Sequence, residues 1–113
     1  MKYLLFAAAL LFSVTTHSQV PPSYQLVTHK QDSTKSIMWT FSPTSITVGK
    51  KKINVHETAT IGTNPIVYAY LIETDHGSGA IHVYYDPKTK KFLKIVSDVK
   101  NHNETTFIVT SQK

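Results

Sequence analysis

Residues 80–96 have the sequence AIHVYYDPKTKKFLKIV, and this stretch is the clearest indication of the fold. On both sides of the segment Asp86–Lys90, apolar or aromatic residues recur in steps of two, which is the side-chain period of a β-strand. Pro87 lies early in this segment, and proline is favoured at the second position of a type I turn. The stretch is therefore predicted to be an antiparallel hairpin with the strands Ala80–Tyr85 and Lys91–Ser97.

The register of this hairpin predicts part of the core. Three-residue loops are common connections between antiparallel strands, and such a loop sets Val83 opposite Leu93. Two residues further from the turn, Ile81 then lies opposite Ile95. All four side chains share one face, which we expect to point inward.

Short runs of this kind continue through the chain from Tyr24 onward, separated by turn residues about every ten positions. No window shows a sustained helical period, and the connections are short enough to favour antiparallel neighbours in chain order. A flat sheet of this size would expose two edges and an apolar face, so we expect a small antiparallel all-β meander closed into a barrel or folded into a two-sheet sandwich. The predicted strands are Tyr24–His29, Ser36–Phe41, Ser45–Val48, Lys52–Thr58, Ile66–Thr74, Ala80–Tyr85, Lys91–Ser97 and Glu104–Thr110.

The same parity rule predicts the inward-facing residues of the other strands. At the end of the chain Phe107 and Val109 compete with Ile108, and the first pair is predicted to face inward. The remaining predicted core residues are Ile37, Trp39, Phe41, Ile46, Val48, Ile53 and Val55.

The strand Ile66–Thr74 differs from the others because both of its faces are apolar, which is typical of a covered strand or of a binding surface. Two registers with the following strand are open. A two-residue turn at 76–77 puts Val83 beside Tyr70 and leaves His82 and Tyr84 on the opposite face. A five-residue loop instead puts Tyr84 beside Tyr70.

The candidate ligand-binding residues are the aromatic side chains of this region and one histidine. A tyrosine offers a rigid apolar ring with a polar tip, which suits a small ligand, a sugar or a partner chain. Ordinary cross-strand packing is the competing explanation, and the sequence favours it. The candidate residues are Tyr68, Tyr70, His82, Tyr84 and Phe92.

The first eighteen residues have the pattern of an export signal. Met1-Lys2 is a short positive start, an apolar run broken only by Ser13 follows, and residues 16–18 offer small side chains at a cleavage site. The run has about 12 apolar residues, whereas a spanning helix needs about 20. We therefore expect a cleaved signal peptide (1–18), an extended leader (19–23) and one domain (24–113) that is secreted or periplasmic, without an integral membrane segment in the mature chain.

Composition narrows the possible partners and the chemistry. The chain of 113 residues contains no cysteine, which excludes disulfides, thiolate metal sites and a cysteine nucleophile. Its net charge is +5, and all 12 basic residues are lysines. Because arginine supplies the bidentate contacts that recognise phosphates and guanine edges, we expect no specific nucleic-acid partner.

The polar residues do not predict an active site. A cluster of His, Asp and Glu residues around one hairpin offers possible ligands for zinc or copper. Its spacing matches no tight metal motif, so isolated surface histidines are predicted. No serine lies in a nucleophile elbow, and no glycine-containing turn matches a phosphate loop. We therefore expect neither an enzyme nor a cofactor. The residues of the cluster are Glu73, Asp75, His76, His82 and Asp86.

Two functions remain open. The first is an exported non-enzymatic binding module for a small apolar ligand or an envelope component, acting through the Tyr-rich surface. The alternative is a secreted protein-interaction module, such as an inhibitor or an assembly subunit, that uses a sheet edge or an aromatic face. An enclosed apolar pocket would favour the first, and a filled interior with an exposed aromatic patch would favour the second.

One short stretch resembles a known family. The pattern Trp39-Thr40-Phe41 followed by Ile46-Thr47-Val48 is similar to that of small secreted lipocalin-like barrels. The resemblance implies a closed barrel. It does not carry over the ligand cavity of that family, because a chain of this length encloses less space than those barrels do.

Overall fold

The computed structural model describes residues 20–75, 77–99 and 104–112. In these residues eight antiparallel strands follow one another in chain order, and the last pairs with the first to close a barrel. The all-β meander is therefore confirmed, and of the two predicted architectures the barrel is present. The strands are β1 (Tyr24–Lys30), β2 (Ile37–Phe41), β3 (Ser45–Val48), β4 (Lys51–Ile61), β5 (Ile66–Thr74), β6 (Gly77–Asp86), β7 (Lys91–Val99) and β8 (Thr105–Gln112).

The predicted signal peptide and its cleavage site before Gln19 lie outside the described residues. Within the described ranges we find no helix of the length and apolar character needed to cross a membrane. Val20, in the predicted leader, packs against the hydrophobic core.

The strands sort the apolar residues onto the inner face, as the period of two predicts. Trp39, Phe41 and Ile46 are buried, and the other predicted members of β2, β3 and β4 pack against them from the rim. In β8 the choice of Phe107 and Val109 is confirmed, because both belong to or contact the core. The fully buried side chains are Tyr70, Phe41, Leu26, Ile46, Ile72, Ile81, Ile95, Val83 and Thr28.

Neither predicted register between β5 and β6 gives the exact pairs. Thr74 pairs with Gly77 and Tyr70 pairs with Ile81, so two residues separate the strands, as in the first prediction, but the pairing is shifted by two residues and β6 begins at Gly77 instead of Ala80. Because a shift of two keeps each side chain on its face, the first prediction is correct that Val83 shares the face of Tyr70 and that His82 and Tyr84 lie on the opposite one. The Thr74 hydroxyl donates to the Gly77 carbonyl at 3.0 Å. The glycine has a φ of 116°, which only glycine adopts readily, so a residue that reads as part of a loop here starts a strand.

The predicted register of β6 and β7 is also wrong, and Leu93 is not a core residue. Val83 pairs with Ile95 and Tyr85 pairs with Phe92, so β7 contains one extra residue at a β-bulge. The bulge leaves Leu93 43% exposed, whereas Phe92 packs against the core. Because a bulge inserts a residue without a distinct sequence pattern, the strict alternation assigned the wrong residue to the inner face.

Candidate binding site at one end of the barrel

Three partly buried aromatic rings lie at one end of the barrel, Tyr68, Tyr85 and Phe92. At this end β5 and β7 begin and β6 ends. The ring centroids of Tyr85 and Phe92 are 4.8 Å apart, and Tyr68 lies 6.1 Å from the first and 6.4 Å from the second. These separations are typical of interacting aromatic pairs. We call these three residues the aromatic mouth.

A stack of buried rings supports the aromatic mouth from below. Tyr24 lies parallel to Phe92 on one side and to Phe41 on the other, with centroid distances of 4.9 Å in both cases. Phe41 continues the contacts to Trp39 at 5.8 Å and to Tyr70 at 5.2 Å. These contacts connect the Phe92 ring of the aromatic mouth to the aromatic part of the core.

The hydroxyl groups of Tyr24 and Tyr70 form a hydrogen bond with each other inside the barrel. Burial raises the pKa of both hydroxyls well above the usual tyrosine value. For Tyr24 the neighbouring Tyr70 raises the pKa further. Both groups are therefore neutral at physiological pH and serve each other as hydrogen-bond partners, which is what a buried polar pair requires.

The five predicted site residues divide between the two faces of the barrel wall. Tyr68, Tyr70 and Phe92 come together on the inside, where Tyr70 is fully buried beneath the mouth. His82 lies on the outer face, where it pairs with Ala69 and Val96 in the sheet.

Tyr84 also faces outward, and the ammonium group of Lys94 stands 4.7 Å from the centre of its ring. The next residue in the chain, Tyr85, is in the mouth but was missed by sequence reasoning. The signal that could have found it is the alternation of β6 itself, because Ile81 and Val83 face inward and Tyr85 follows two residues later in the same strand. Tyr24 was missed because it was read only as the start of a strand.

A groove opens beside the aromatic mouth, where β7 and β8 separate. In the described residues, the β7–β8 ladder extends from the pair of Lys94 with Ile108 to the pair of Ser97 with Thr105. Nearer the mouth, β8 is paired with β1 and no longer with β7. The groove has a volume of about 430 Å³, and we call it the seam groove. Its lining consists of Thr89, Lys90, Lys91, Phe92, Val109, Thr110, Ser111 and Gln112.

The side chain of Gln112 bridges the seam. Its carbonyl oxygen accepts a hydrogen bond from the Phe92 amide at 3.0 Å, and its amide nitrogen donates to the Lys90 carbonyl at 3.2 Å. A carboxamide has the same donor and acceptor as a peptide group. Gln112 therefore makes across the gap the two bonds that a paired strand would make.

Large side chains lie in the interior between the described strands. Phe41, Tyr70 and Leu26 have no exposed surface. An eight-stranded barrel is about the size that side chains alone can fill. The candidate contact surfaces for a ligand are therefore the aromatic mouth and the open seam groove beside it.

The polar cluster weighed as a metal site is dispersed. Among residues 20–75, 77–99 and 104–112, no three His, Asp or Glu side chains are grouped so that they could hold a metal ion. Glu73 and Asp75 lie at the far end of the barrel, and Asp86 lies in the turn near the mouth. His82 is on the outer face, and His76 lies outside the described residues.

Asp86 has a structural role in its turn. Its carboxylate accepts hydrogen bonds from the Lys88 amide at 2.9 Å and from the Thr89 hydroxyl at 3.1 Å. The backbone bond to Lys88 is the main reason that the pKa of this carboxyl is lowered. These bonds stabilise the backbone of the turn that carries Lys88 and Lys90.

The chain matches no known family model, and no curated protein or solved structure matches it either. The similarity of residues 39–48 to lipocalin-like barrels therefore has no support beyond the closed barrel itself.

Proposed function

We propose that this protein is an exported, non-enzymatic binding module that holds a small ligand or an envelope component at the aromatic mouth. The observation that carries the proposal is the arrangement of Tyr68, Tyr85 and Phe92. The ring centroids lie within 6.4 Å of one another, and the rings remain partly exposed at one end of the barrel. A groove of about 430 Å³ that Phe92 also lines adjoins them, and this groove favours a small ligand over a protein partner although it is not an enclosed pocket.

Two properties of this site favour recognition. The rings present apolar faces together with tyrosine hydroxyls, so they suit a ligand that has both apolar and polar groups, and aromatic contacts contribute about 0.5–1.5 kcal/mol each. One of them, Phe92, stacks on Tyr24, which in turn stacks on Phe41, so this ring is packed in place from below. A site that is ordered before binding loses less entropy when the ligand arrives.

The alternative function, a protein-interaction module, is supported by a different surface. On the outer face of β4 and β5, Ile61 is 53% exposed and Leu71 is 43% exposed. Leu71 pairs with Ala80, and Ile61 pairs with Val67, so further apolar residues adjoin both side chains. This outer face is distinct from the aromatic mouth, and the two functions can be tested separately.

The test compares two neighbouring tyrosines on opposite faces of β6. The exported protein is purified natively, copurifying molecules are identified by mass spectrometry, and their affinities for Tyr85→Ala and Tyr84→Ala are measured. We expect Tyr85→Ala to weaken binding roughly tenfold, since one aromatic contact of about 1.4 kcal/mol corresponds to that factor. Tyr84→Ala should bind as the wild type does.

The opposite result would reject the aromatic mouth. If Tyr85→Ala and Phe92→Ala retain full affinity while Leu71→Ser loses a copurifying protein, the outer face is the binding surface. A thermal melt of each variant is included, because Phe92 packs against the core and its truncation also lowers stability, so a loss of affinity is assigned to the mouth only for a variant that remains folded.

A further inference from the structure

We propose that the ligand of this module is an acidic saccharide, with a sugar ring against the aromatic mouth and a carboxylate or sulfate group in the seam groove. This inference rests on the proposed function, because it names the ligand class of the same site. Phe92 belongs to both surfaces, since its ring contacts Tyr85 in the mouth and also lines the seam groove.

The distribution of charge supports an anionic ligand. Among the described residues, three lysines lie in or next to the β6–β7 turn beside the mouth, and the only carboxylate with them is Asp86, which already accepts two hydrogen bonds. A cleft lined by one sign of charge concentrates ligands of the other sign. The three lysines are Lys88, Lys90 and Lys91, and the last two line the seam groove.

The far end of the barrel has a different balance. Lysines there are accompanied by a similar number of carboxylates, so their fields largely cancel. The lysines at or near that end are Lys30, Lys35, Lys50, Lys51 and Lys52, and the carboxylates are Asp32, Glu73, Asp75, Asp98 and Glu104.

The lining of the seam groove indicates a polyhydroxylated ligand. The hydroxyl groups of Thr89, Thr110 and Ser111 and the carboxamide of Gln112 line it, and none of its lining residues is acidic. The Thr89 and Thr110 hydroxyls already donate to Asp86 and to the Val27 carbonyl, so they offer a ligand their acceptor oxygens, and the Gln112 carboxamide bonds within the protein. Hydroxyls and carboxamides both donate and accept hydrogen bonds, as sugar hydroxyls do. The volume of about 430 Å³ lies in the usual range of small-ligand sites, about 300–1,000 Å³.

Lipid and nucleic-acid ligands fit these observations less well. The groove has only Phe92 and Val109 as apolar lining residues, so it offers little surface for an acyl chain. The basic residues are lysines, which bind anions as point charges and lack the planar fork that reads guanine edges, so specific nucleic-acid recognition is disfavoured.

The experiment measures binding of hexagalacturonate and of its methyl ester to the full mature chain by calorimetry at low and at moderate salt. The ester keeps the sugar rings and removes the charge. We expect the acid to bind roughly tenfold more tightly than the ester, which corresponds to about 1.4 kcal/mol. The difference should shrink as salt is added, because the lysines are exposed.

Variants locate the contact. Lys90→Gln combined with Lys91→Gln should remove most of the preference for the acid, whereas Lys51→Gln combined with Lys52→Gln, which changes the same charge at the far end, should leave it intact. Equal affinity for acid and ester, equal effects of the two double variants, or no binding of hexagalacturonate would each overturn the inference. Binding to phosphatidylglycerol vesicles without binding to hexagalacturonate would also overturn it and assign a lipid surface.

The failure of this inference and the failure of the proposed function are distinguishable. If acid and ester bind equally and Tyr85→Ala weakens both, the aromatic mouth is the site and only the charge argument is wrong. If Tyr85→Ala leaves the affinity of a bound saccharide unchanged, the aromatic mouth itself is rejected.

Discussion

The two ends of the barrel both contain aromatic rings, but their surroundings differ. Toward the far end, Trp39 is 2% exposed, packs edge-on against Phe107 at 5.1 Å and donates a hydrogen bond from its indole nitrogen to the Thr28 hydroxyl at 2.8 Å. At the mouth, Tyr68, Tyr85 and Phe92 keep part of their surface exposed. An aromatic residue type therefore does not by itself distinguish a core residue from a candidate site residue. The distinction is whether both faces of the ring are covered by other side chains.

The comparison predicts that the largest loss of stability comes from the far end. Trp39→Ala should destabilise the protein by about 3–5 kcal/mol, the usual effect of truncating a large buried aromatic. Tyr85→Ala in the mouth should lose less than about 1.5 kcal/mol. Urea unfolding of both variants checks the difference, and similar midpoints for the two would show that the two ends are not distinct.

A smaller loss of stability is expected from the buried hydroxyl pair of Tyr24 and Tyr70, which lies in the barrel interior. Tyr24→Phe or Tyr70→Phe alone should destabilise by about 1–3 kcal/mol, because the remaining hydroxyl loses its partner in the core. The double Phe variant should be more stable than the sum of the single effects predicts, since it leaves no unsatisfied group. A double-mutant cycle measures this coupling, and strictly additive losses would contradict the hydrogen bond.

The same pair predicts sensitivity to alkali. Burial raises the pKa of Tyr24 and Tyr70 in the folded protein, whereas an ordinary tyrosine has a value of 10.0. The folded state therefore holds these protons more tightly than the unfolded chain, so the stabilisation is complete below pH 10.0 and is lost as the pH rises above it. The double Phe variant should retain its fold to a higher pH than the wild type, and circular dichroism during an alkaline titration checks this.

The smallest predicted effect concerns the seam. Gln112→Ala should destabilise by about 0.5–1.5 kcal/mol, the range for a net intramolecular hydrogen bond, because both of its bonds are near the surface. Hydrogen exchange of the Phe92 amide should become faster, while amides of β5 and β6 remain protected. Unchanged exchange at Phe92 would mean that the carboxamide does not hold the seam closed.

The sequence predicts the fold well because strand parity and turn residues are local signals. The alternation in β2, β3 and β6 is visible in the residues themselves, and Pro87 marks the turn that follows β6. Strand bounds in β4 and β8 differ from prediction, because a strand continues as long as its neighbour supplies partners. That is a property of the sheet, not of the strand.

The candidate site was only partly predictable. Tyr68 and Phe92 are predicted from their residue type. Tyr84 instead of Tyr85 is predicted from the five-residue loop between β5 and β6, although the alternation within β6 places Tyr85 inward. The bulge in β7 decides that Phe92 and not Leu93 faces the mouth. His82 was assigned to the site because the register with β5 was undecided, and a shift of one residue moves a side chain to the other face. The seam groove could not be predicted. It arises where the β7–β8 ladder ends, and no residue in either strand marks that point in the sequence.

The carboxamide bridge of Gln112 has a consequence for the population of states that the barrel visits. Releasing its two bonds, which lie near the surface, requires about 0.5–1.5 kcal/mol, whereas unfolding a whole domain requires about 5–15 kcal/mol. An opening free energy at the upper end of the first range, about 1.4 kcal/mol, corresponds to roughly one molecule in ten. We therefore expect a minor open-seam state in the native ensemble, in which β7 and β8 part beside the mouth while the other ladders stay intact.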